Sequence, residues 1–173
     1  MHKLIAHPRF PFVVAACICL GLVGGGLVLA NLMNLAACPL CIVQRMLYLL
    51  LALVAGVGSV VAQTTARRGA AAVAAVIAAT GVFVAGYQVW IQRFATDTNC
   101  SANAPWWERF VDWAGEQSPL LFQANGLCSD PAWRFLSLSI AEWSLLAFSF
   151  LLALALFAAF RKSPATLLHP HKV

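Results

Sequence analysis

Long uncharged apolar stretches, separated by a few charged residues, dominate the sequence. The charge-free runs are residues 10–44, 46–66, 69–92 and 143–160. Each run is long enough for a membrane-spanning helix, which needs roughly 17–25 apolar residues. The runs lack the alternation of polar and apolar residues that a membrane β-barrel shows, whereas a helix satisfies its backbone polar groups internally. The pattern therefore predicts four spanning helices, at about 12–32, 40–62, 70–92 and 143–160.

Composition excludes a soluble or disordered chain. Hydrophobic residues make up 62% of the sequence and charged residues 10%, against about 25% charged residues in a soluble domain. A chain of 173 residues has too little interior to hide that much apolar surface from water, and disorder requires low hydrophobicity. We therefore expect an all-α integral membrane four-helix bundle that forms a single domain over residues 1–173.

The placement of charge indicates the orientation. Of the 11 basic residues, seven lie at the termini or in the turn after the second span: Lys3, Arg9, Arg67, Arg68, Arg161, Lys162 and Lys172. All 6 acidic residues lie between the third and fourth spans. The positive-inside rule then predicts that both termini are cytoplasmic and that the loops at about 33–39 and 93–142 face outward. Because this placement explains the basic excess, we expect no nucleic-acid partner.

Four of the six cysteines map to the outer side, in or next to the two outward loops: Cys38, Cys41, Cys100 and Cys128. Two cysteines in each loop suggest the bridges 38–41 and 100–128, although the sequence allows three connectivities. In the chain-entropy model the wider bridge adds about 3.6 kcal/mol of stability and the 38–41 bridge only about 1.9 kcal/mol. The short bridge is therefore a poor staple. It suits a redox centre, because a helix that begins at Pro39 would stabilise a thiolate at its N-terminus.

Arg45 is a second unusual feature, since it lies within the predicted second span. It follows Cys41 by four residues, which places both side chains on one helix face. Arg45 either snorkels to the interface or is a fixed cation that stabilises negative charge on a thiolate and on a neighbouring electron acceptor. A lipid-soluble quinone is the natural acceptor in a membrane, and Arg45 would hydrogen-bond its oxygen.

The long outer loop carries aromatic residues at helical spacing. Trp106, Phe110 and Trp113 would share one face of a short helix. Either that helix lies flat on the membrane interface, or its aromatic face packs on the bundle.

Two segments resemble the bacterial disulfide bond formation protein B (DsbB) family. They are CPLCIVQR at residues 38–45 and WRFLSLSIAEW at residues 133–143. The four-span plan and the two cysteine pairs match that family as well. The resemblance implies a thiol oxidase of the bacterial inner membrane, with its redox loops in the periplasm. Such an enzyme reoxidises a DsbA-type thioredoxin-fold partner and passes electrons to the membrane quinone pool, either ubiquinone or menaquinone.

The resemblance also implies a role for each site residue. Cys100 would form the mixed disulfide with the partner, and electrons would reach the Cys38–Cys41 pair through a transient Cys38–Cys128 link. Cys41 would contact the quinone, with Arg45 supporting the charge. We expect a monomer that holds no metal. The chain departs from the family at position 93, where Arg93 replaces a frequent histidine, and at Gln44, where no acidic residue offsets Arg45.

Two other classes of protein stay open from sequence. The four outer cysteines are a possible thiolate metal site, although the wide gap between Cys100 and Cys128 and an oxidising compartment disfavour it. A non-enzymatic scaffold with structural disulfides is the other, and the low stabilisation from a 38–41 bridge disfavours that class. A quinone reductase of the vitamin K epoxide reductase type also has four spans, but it carries its Cys-x-x-Cys motif on the last helix.

Overall fold

A computed structural model describes residues 9–94, 105–129 and 133–161. Within these ranges four helices are long and apolar enough to cross a membrane: α1 (Phe10–Met33), α2 (Pro39–Val60), α3 (Thr64–Phe94) and α6 (Ile140–Phe160). The segment between α3 and α6 contains two short helices and a two-stranded antiparallel hairpin: α4 (Trp106–Gln117), α5 (Pro119–Phe122), β1 (Arg134–Phe135) and β2 (Leu138–Ser139). The predicted fold class, an all-α membrane helix bundle, is confirmed.

Helices α3 and α6 begin before the spans that the apolar runs predict. Helix α3 starts at Thr64 and carries Arg67 and Arg68 in its first turns, since basic side chains do not end a helix. Helix α6 starts at Ile140 behind a capping box. There the Ser139 hydroxyl accepts the Glu142 N–H at 3.3 Å, and the Glu142 carboxylate accepts the Ser139 N–H at 2.7 Å. Both helices are therefore longer than the spans predicted at about 70–92 and 143–160.

The most extensive contact between two helices of the bundle lies between α3 and α6, an interface that we call the closed seam. Phe148 of α6 is fully buried and stacks on Tyr48 of α2, with ring centroids 4.1 Å apart. Its ring lies directly over Gly81 of α3, where an added Cβ would come within 2.2 Å of it. Gly81 therefore permits the close approach of the two helices.

Helix α1 packs mainly on α2 and makes few contacts with α6. We call this second interface, between α1 and α6, the open seam. The two helices are the most apolar of the four by hydropathy, yet they stay apart. The gap between them borders the region that the cysteines occupy.

Helix α4 presents its aromatic face outward. Trp106, Phe110 and Trp113 are exposed, and the last two rings stack on each other at 5.8 Å. The helix packs on the bundle through its other side, where Val111 and Ala114 are buried. The alternative in which the aromatic face packs on the bundle is therefore wrong, and contact of this face with the membrane interface stays a prediction.

The hairpin before α6 was not foreseen within the predicted loop. Its two turn residues, Leu136 and Ser137, have φ angles of 51° and 67°, a left-handed conformation that a two-residue hairpin turn requires. Trp143 of α6 fixes the hairpin by donating its indole N–H to the Phe135 carbonyl at 3.1 Å. The hairpin thereby holds Trp133 and Phe135 against the open seam.

Candidate redox site

Three of the four predicted redox cysteines meet at the N-terminus of α2. The Cys38 thiol donates to the Cys41 sulfur at 3.2 Å, and it also hydrogen-bonds Cys128. Cys38 is buried, while Cys41 and Cys128 are half-buried. The cluster forms a chain of sulfurs in which Cys38 stands between Cys41 and Cys128. Cys100 lies outside the described residues, so its pairing stays a prediction.

Helix α2 holds two of these sulfurs with its first backbone N–H groups. Cys38 is the N-cap residue, and its sulfur accepts the Cys41 N–H at 3.4 Å. The sulfur of Cys128 accepts a backbone hydrogen bond from Leu40. Helix N-termini carry N–H groups without intrahelical partners and a partial positive charge. Pro39 at the first helical position, as predicted, completes a helix start that stabilises thiolates.

Cys128 reaches Cys38 because a neighbouring segment docks on the turn between α1 and α2. In this docking segment, residues 121–128, the backbone N–H groups of Asn125 and Gly126 both donate to the Ala37 carbonyl at 2.9 Å. A Cβ on Gly126 would come within 2.5 Å of the Ala36 carbonyl oxygen. Glycine is therefore needed at position 126, because backbone atoms of the two segments lie in contact.

The hydrogen bonds make the thiol of Cys128 more acidic than the thiol of Cys38. The hydrogen bond from Cys38 lowers the pKa of the Cys128 thiol below its ordinary value, and the Leu40 N–H adds to that effect. The bonds that Cys38 gives to Cys128 and Cys41, together with its burial, raise the pKa of Cys38. The thiol of Cys128 is therefore more readily ionised than the thiol of Cys38.

A buried amide pair completes the surroundings of the sulfurs. The side-chain nitrogen of Gln88, on α3, lies 3.3 Å from the Cys38 sulfur and 3.2 Å from the Cys41 sulfur. The oxygen of Gln88 accepts from the Gln44 amide of α2 at 2.7 Å. Sequence reasoning missed both roles. The available signal was an uncharged polar residue at an inward position of an apolar helix, where burial requires a hydrogen-bond partner.

Arg45 lies beside the cysteines and is half-buried. Its guanidinium donates to the backbone carbonyl of Leu121, at the start of the docking segment. Arg45 and Cys41 line the same cavity, as their four-residue spacing predicts. The protein backbone therefore holds the guanidinium at the outer end of α2, next to the cavity.

The cavity occupies the open seam and has a volume of about 670 Å³. Helix α2 contributes Cys41, Arg45 and Tyr48, one helix turn apart in succession, and the Tyr48 hydroxyl bonds Ser144 at 2.8 Å. The remaining lining is mostly apolar, and much of it comes from the two seam helices and the hairpin, including Leu22, Val23, Leu29, Ala147, Phe150, Trp133 and Phe135. Further polar groups come from Gln44, Gln88 and Gln92. Small-molecule sites commonly have about 300–1,000 Å³, apolar walls and a few convergent polar groups. The cavity has the volume and lining of such a site.

Arg93 is not among the residues that line the cavity. It forms an ion pair with Glu142, the acidic residue of the α6 capping box. The guanidinium is therefore held at the α3–α6 end of the bundle. Arg45 is the basic residue that the described part of the chain places in the cavity wall.

Comparison with known proteins agrees with this arrangement. The chain matches the family described as disulfide bond formation protein DsbB over residues 8–158. Disulfide bond formation protein B of Dechloromonas aromatica is 39% identical over 155 residues, covering 85% of this chain and 89% of the relative. The proteins of that name from Nitrosospira multiformis and Aromatoleum aromaticum are 38% and 36% identical, over 80% and 94% of this chain and 83% and 98% of theirs. The chain is thus a multi-pass membrane protein of the DsbB family, with a role in disulfide bond formation.

Proposed function

We propose that the chain is a membrane protein-dithiol:quinone oxidoreductase, which reoxidises a DsbA-type thioredoxin-fold partner. The observation that carries the proposal is the line of sulfurs that starts at Cys128 and ends at Cys41 in the wall of an apolar cavity. Each neighbouring pair of sulfurs in that line is in hydrogen-bond contact. Such a line suits successive thiol–disulfide exchanges, in which a thiolate attacks one sulfur and expels another.

The proposed thiol steps move two electrons from the partner dithiol to this chain. A partner thiolate attacks Cys100 of the Cys100–Cys128 bridge, and Cys128 leaves as a thiolate. Cys128 then attacks Cys38, the Cys38–Cys41 bond breaks, and Cys41 leaves with the electron pair. The second partner thiol resolves its mixed disulfide with Cys100, which leaves the partner oxidised and this chain reduced by two electrons. The backbone N–H of Leu40 would still stabilise the attacking Cys128 thiolate when Cys38 is bonded to Cys41, and the contact of Cys128 with Cys38 supports the second step.

The electron acceptor that best fits the cavity is a lipid-soluble quinone, ubiquinone or menaquinone. Cys100 would first attack Cys128, which restores the Cys100–Cys128 bridge and releases Cys38 as a thiol. The quinone would then accept the two electrons and two protons of the Cys38–Cys41 dithiol, and that bridge would form again. Cys41 lies in the wall where the acceptor would sit, Arg45 would donate to an oxygen that becomes negatively charged, and the seam helices would hold an isoprenoid tail. The cavity lies between two helices that face lipid, which supports entry from the membrane.

The cysteine cluster and the partner that it serves would lie on the periplasmic side of the membrane. The basic residues at the termini and in the α2–α3 turn favour a cytoplasmic location for that side in a bacterial inner membrane. The cysteine cluster is then periplasmic, where disulfides persist. The exposed aromatic face of α4 would rest on that membrane interface.

Quinone reduction by the purified protein tests the proposal. The full chain in detergent is mixed with a reduced DsbA-type protein and ubiquinone or menaquinone, and the quinone absorbance is followed. We expect stoichiometric quinone loss with one of the two, and none in Cys41→Ser. Arg45→His is expected to raise the KM for quinone. Absence of reduction with both quinones, in folded protein with intact bridges, would contradict the proposal and favour a scaffold role.

A further inference from the structure

The amide of Gln88 contacts both sulfurs of the Cys-x-x-Cys motif. It is 1% exposed, and its nitrogen lies within 3.3 Å of both Cys38 and Cys41. The carboxamide nitrogen carries two hydrogens, so one group has a donor for each sulfur. Arg45, by contrast, gives its hydrogen bond to a backbone carbonyl.

Gln44 fixes the direction in which Gln88 donates. It is 4% exposed, and it gives its own amide hydrogen to the Gln88 oxygen at 2.7 Å. With that oxygen occupied, the Gln88 nitrogen must face the sulfurs. This orientation suits both redox states, because a disulfide sulfur and a thiolate can only accept hydrogen bonds.

The proposed redox chemistry of Cys38 and Cys41 requires a hydrogen-bond donor beside the two sulfurs. When Cys128 attacks Cys38, Cys41 leaves as an anion in a half-buried position. A hydrogen bond to a charged acceptor is worth more than one between neutral groups, and more still where water is scarce. An amide supplies this bond without placing a second permanent charge beside Arg45.

We propose that Gln88 is a catalytic residue: its carboxamide, held by Gln44, donates to whichever of Cys38 and Cys41 carries negative charge and makes their disulfide easier to reduce. The inference rests on the proposed redox role of the pair, but not on the identity of the electron acceptor. It also explains why two glutamines on facing helices are buried against each other in an apolar bundle.

The test measures the redox equilibrium of Cys38–Cys41 and does not require quinone. The full chain in detergent is equilibrated with glutathione buffers, trapped by alkylation, and the Cys38–Cys41 peptide is quantified by mass spectrometry. Gln88→Met keeps the side-chain length and removes the donors. We expect its equilibrium constant for reduction to fall about tenfold, which corresponds to a potential about 30 mV more negative. Gln44→Glu, which draws the Gln88 amide hydrogens away from the sulfurs, is expected to shift the equilibrium in the same direction.

Thr80→Val is the matched control on the same helix, because the Thr80 hydroxyl bonds only its own helix, at the Val76 carbonyl, in the contacts described. It is expected to leave the equilibrium unchanged. With quinone as acceptor, Gln88→Met should lower kcat, whereas Arg45→His raises the KM for quinone. If Gln88→Met does not fold, the redox equilibrium of Cys38–Cys41 in Gln44→Glu tests the inference.

A folded Gln88→Met or Gln44→Glu protein with the wild-type redox equilibrium would overturn the inference. That result is distinguishable from failure of the proposed function, in which the wild-type protein itself reduces no quinone.

Discussion

The two seams that flank α6 are built from similar apolar helix surfaces, but the closed seam is filled by side chains and the open seam is not. At the closed seam the ring of Phe148 fills the space above Gly81 and stacks on Tyr48. At the open seam α1 keeps its distance, and a cavity of about 670 Å³ remains. The comparison teaches that apolar composition brings helices into one bundle, while the fit of single residues decides whether a pair of helices closes.

The open seam is covered at its cysteine end by backbone contacts of the docking segment instead of by helix packing. Gly126→Ala should break that cover, because the new Cβ would meet the Ala36 carbonyl oxygen. Displacing Cys128 from Cys38 by about 1 Å is expected to cost on the order of a hundredfold in kcat, with little change in thermal stability. Quinone reduction at saturating quinone measures it, and Gln123→Ala, an exposed neighbour in the segment, is the control. Wild-type turnover in Gly126→Ala would mean that the contact does not position Cys128.

The closed seam should be the more sensitive of the two to added volume. Gly81→Ala is expected to lower the free energy of unfolding by about 1–3 kcal/mol, because Phe148 cannot keep its place. Gly56→Ala is the matched control, since nothing lies within 4 Å of an added Cβ there. Thermal unfolding in detergent compares them. Equal melting temperatures for the two variants would show that Phe148 has room to move.

The open seam should tolerate added volume in stability but not in quinone binding. Gly26→Leu places a side chain in the cavity, whereas Gly24→Leu adds the same side chain to α1 outside the cavity lining. We expect the first to raise the KM for quinone about tenfold, the size of one or two lost methylene contacts, with an unchanged melting temperature. The second should leave both quantities unaltered. A raised KM in both variants would place the binding site elsewhere.

The smallest effect concerns the acidity of Cys128 beside the open seam. Because the Cys38 hydrogen bond lowers the pKa of Cys128, reduced protein carries more thiolate there at neutral pH than an ordinary thiol would. Cys38→Ala removes the donor, so the pKa of Cys128 rises and its alkylation at pH 7 should slow several-fold, about the effect of one hydrogen bond. Cys38→Ser keeps a donor and should retain most of the rate.

The alkylation rates of Cys128 in the wild type and in Cys38→Ala should converge at a pH well above the ordinary thiol range, where Cys128 is ionised in both proteins. A persistent difference there would point to altered access of the reagent instead of altered acidity. Peptide mass spectrometry reports each cysteine separately.

Much of the fold could be predicted from sequence, because uncharged runs of membrane length leave a chain few alternatives. The start of α2 at Pro39 followed from the same local chemistry. The hairpin before α6 could not be foreseen, since its turn residues Leu136 and Ser137 are not the Asn and Gly that normally signal such a turn.

The site was predictable where it consists of residues close in sequence. Cys41 and Arg45 share a face because helix geometry dictates it, and both line the cavity. The contact between Cys38 and Cys128 depends on how a long loop folds back, which no local pattern encodes. Gln88 could be singled out as a polar residue in an apolar helix, but its contact with the two sulfurs depends on how α2 and α3 pack, which the sequence does not show.

The capping role of Cys38 has one more consequence. The sulfur that ends the hydrogen-bond ladder of α2 by accepting the Cys41 N–H is also the sulfur that changes bonding partner in the proposed exchange. The bond to Cys41 keeps this sulfur over the first turn of α2, whereas the bond to Cys128 draws it toward the docking segment, so the first turn should loosen and tighten with each catalytic cycle. Amide hydrogen exchange at Cys41 would then follow the oxidation state of the protein, so the exchange rate at the helix end would report which disulfide Cys38 forms.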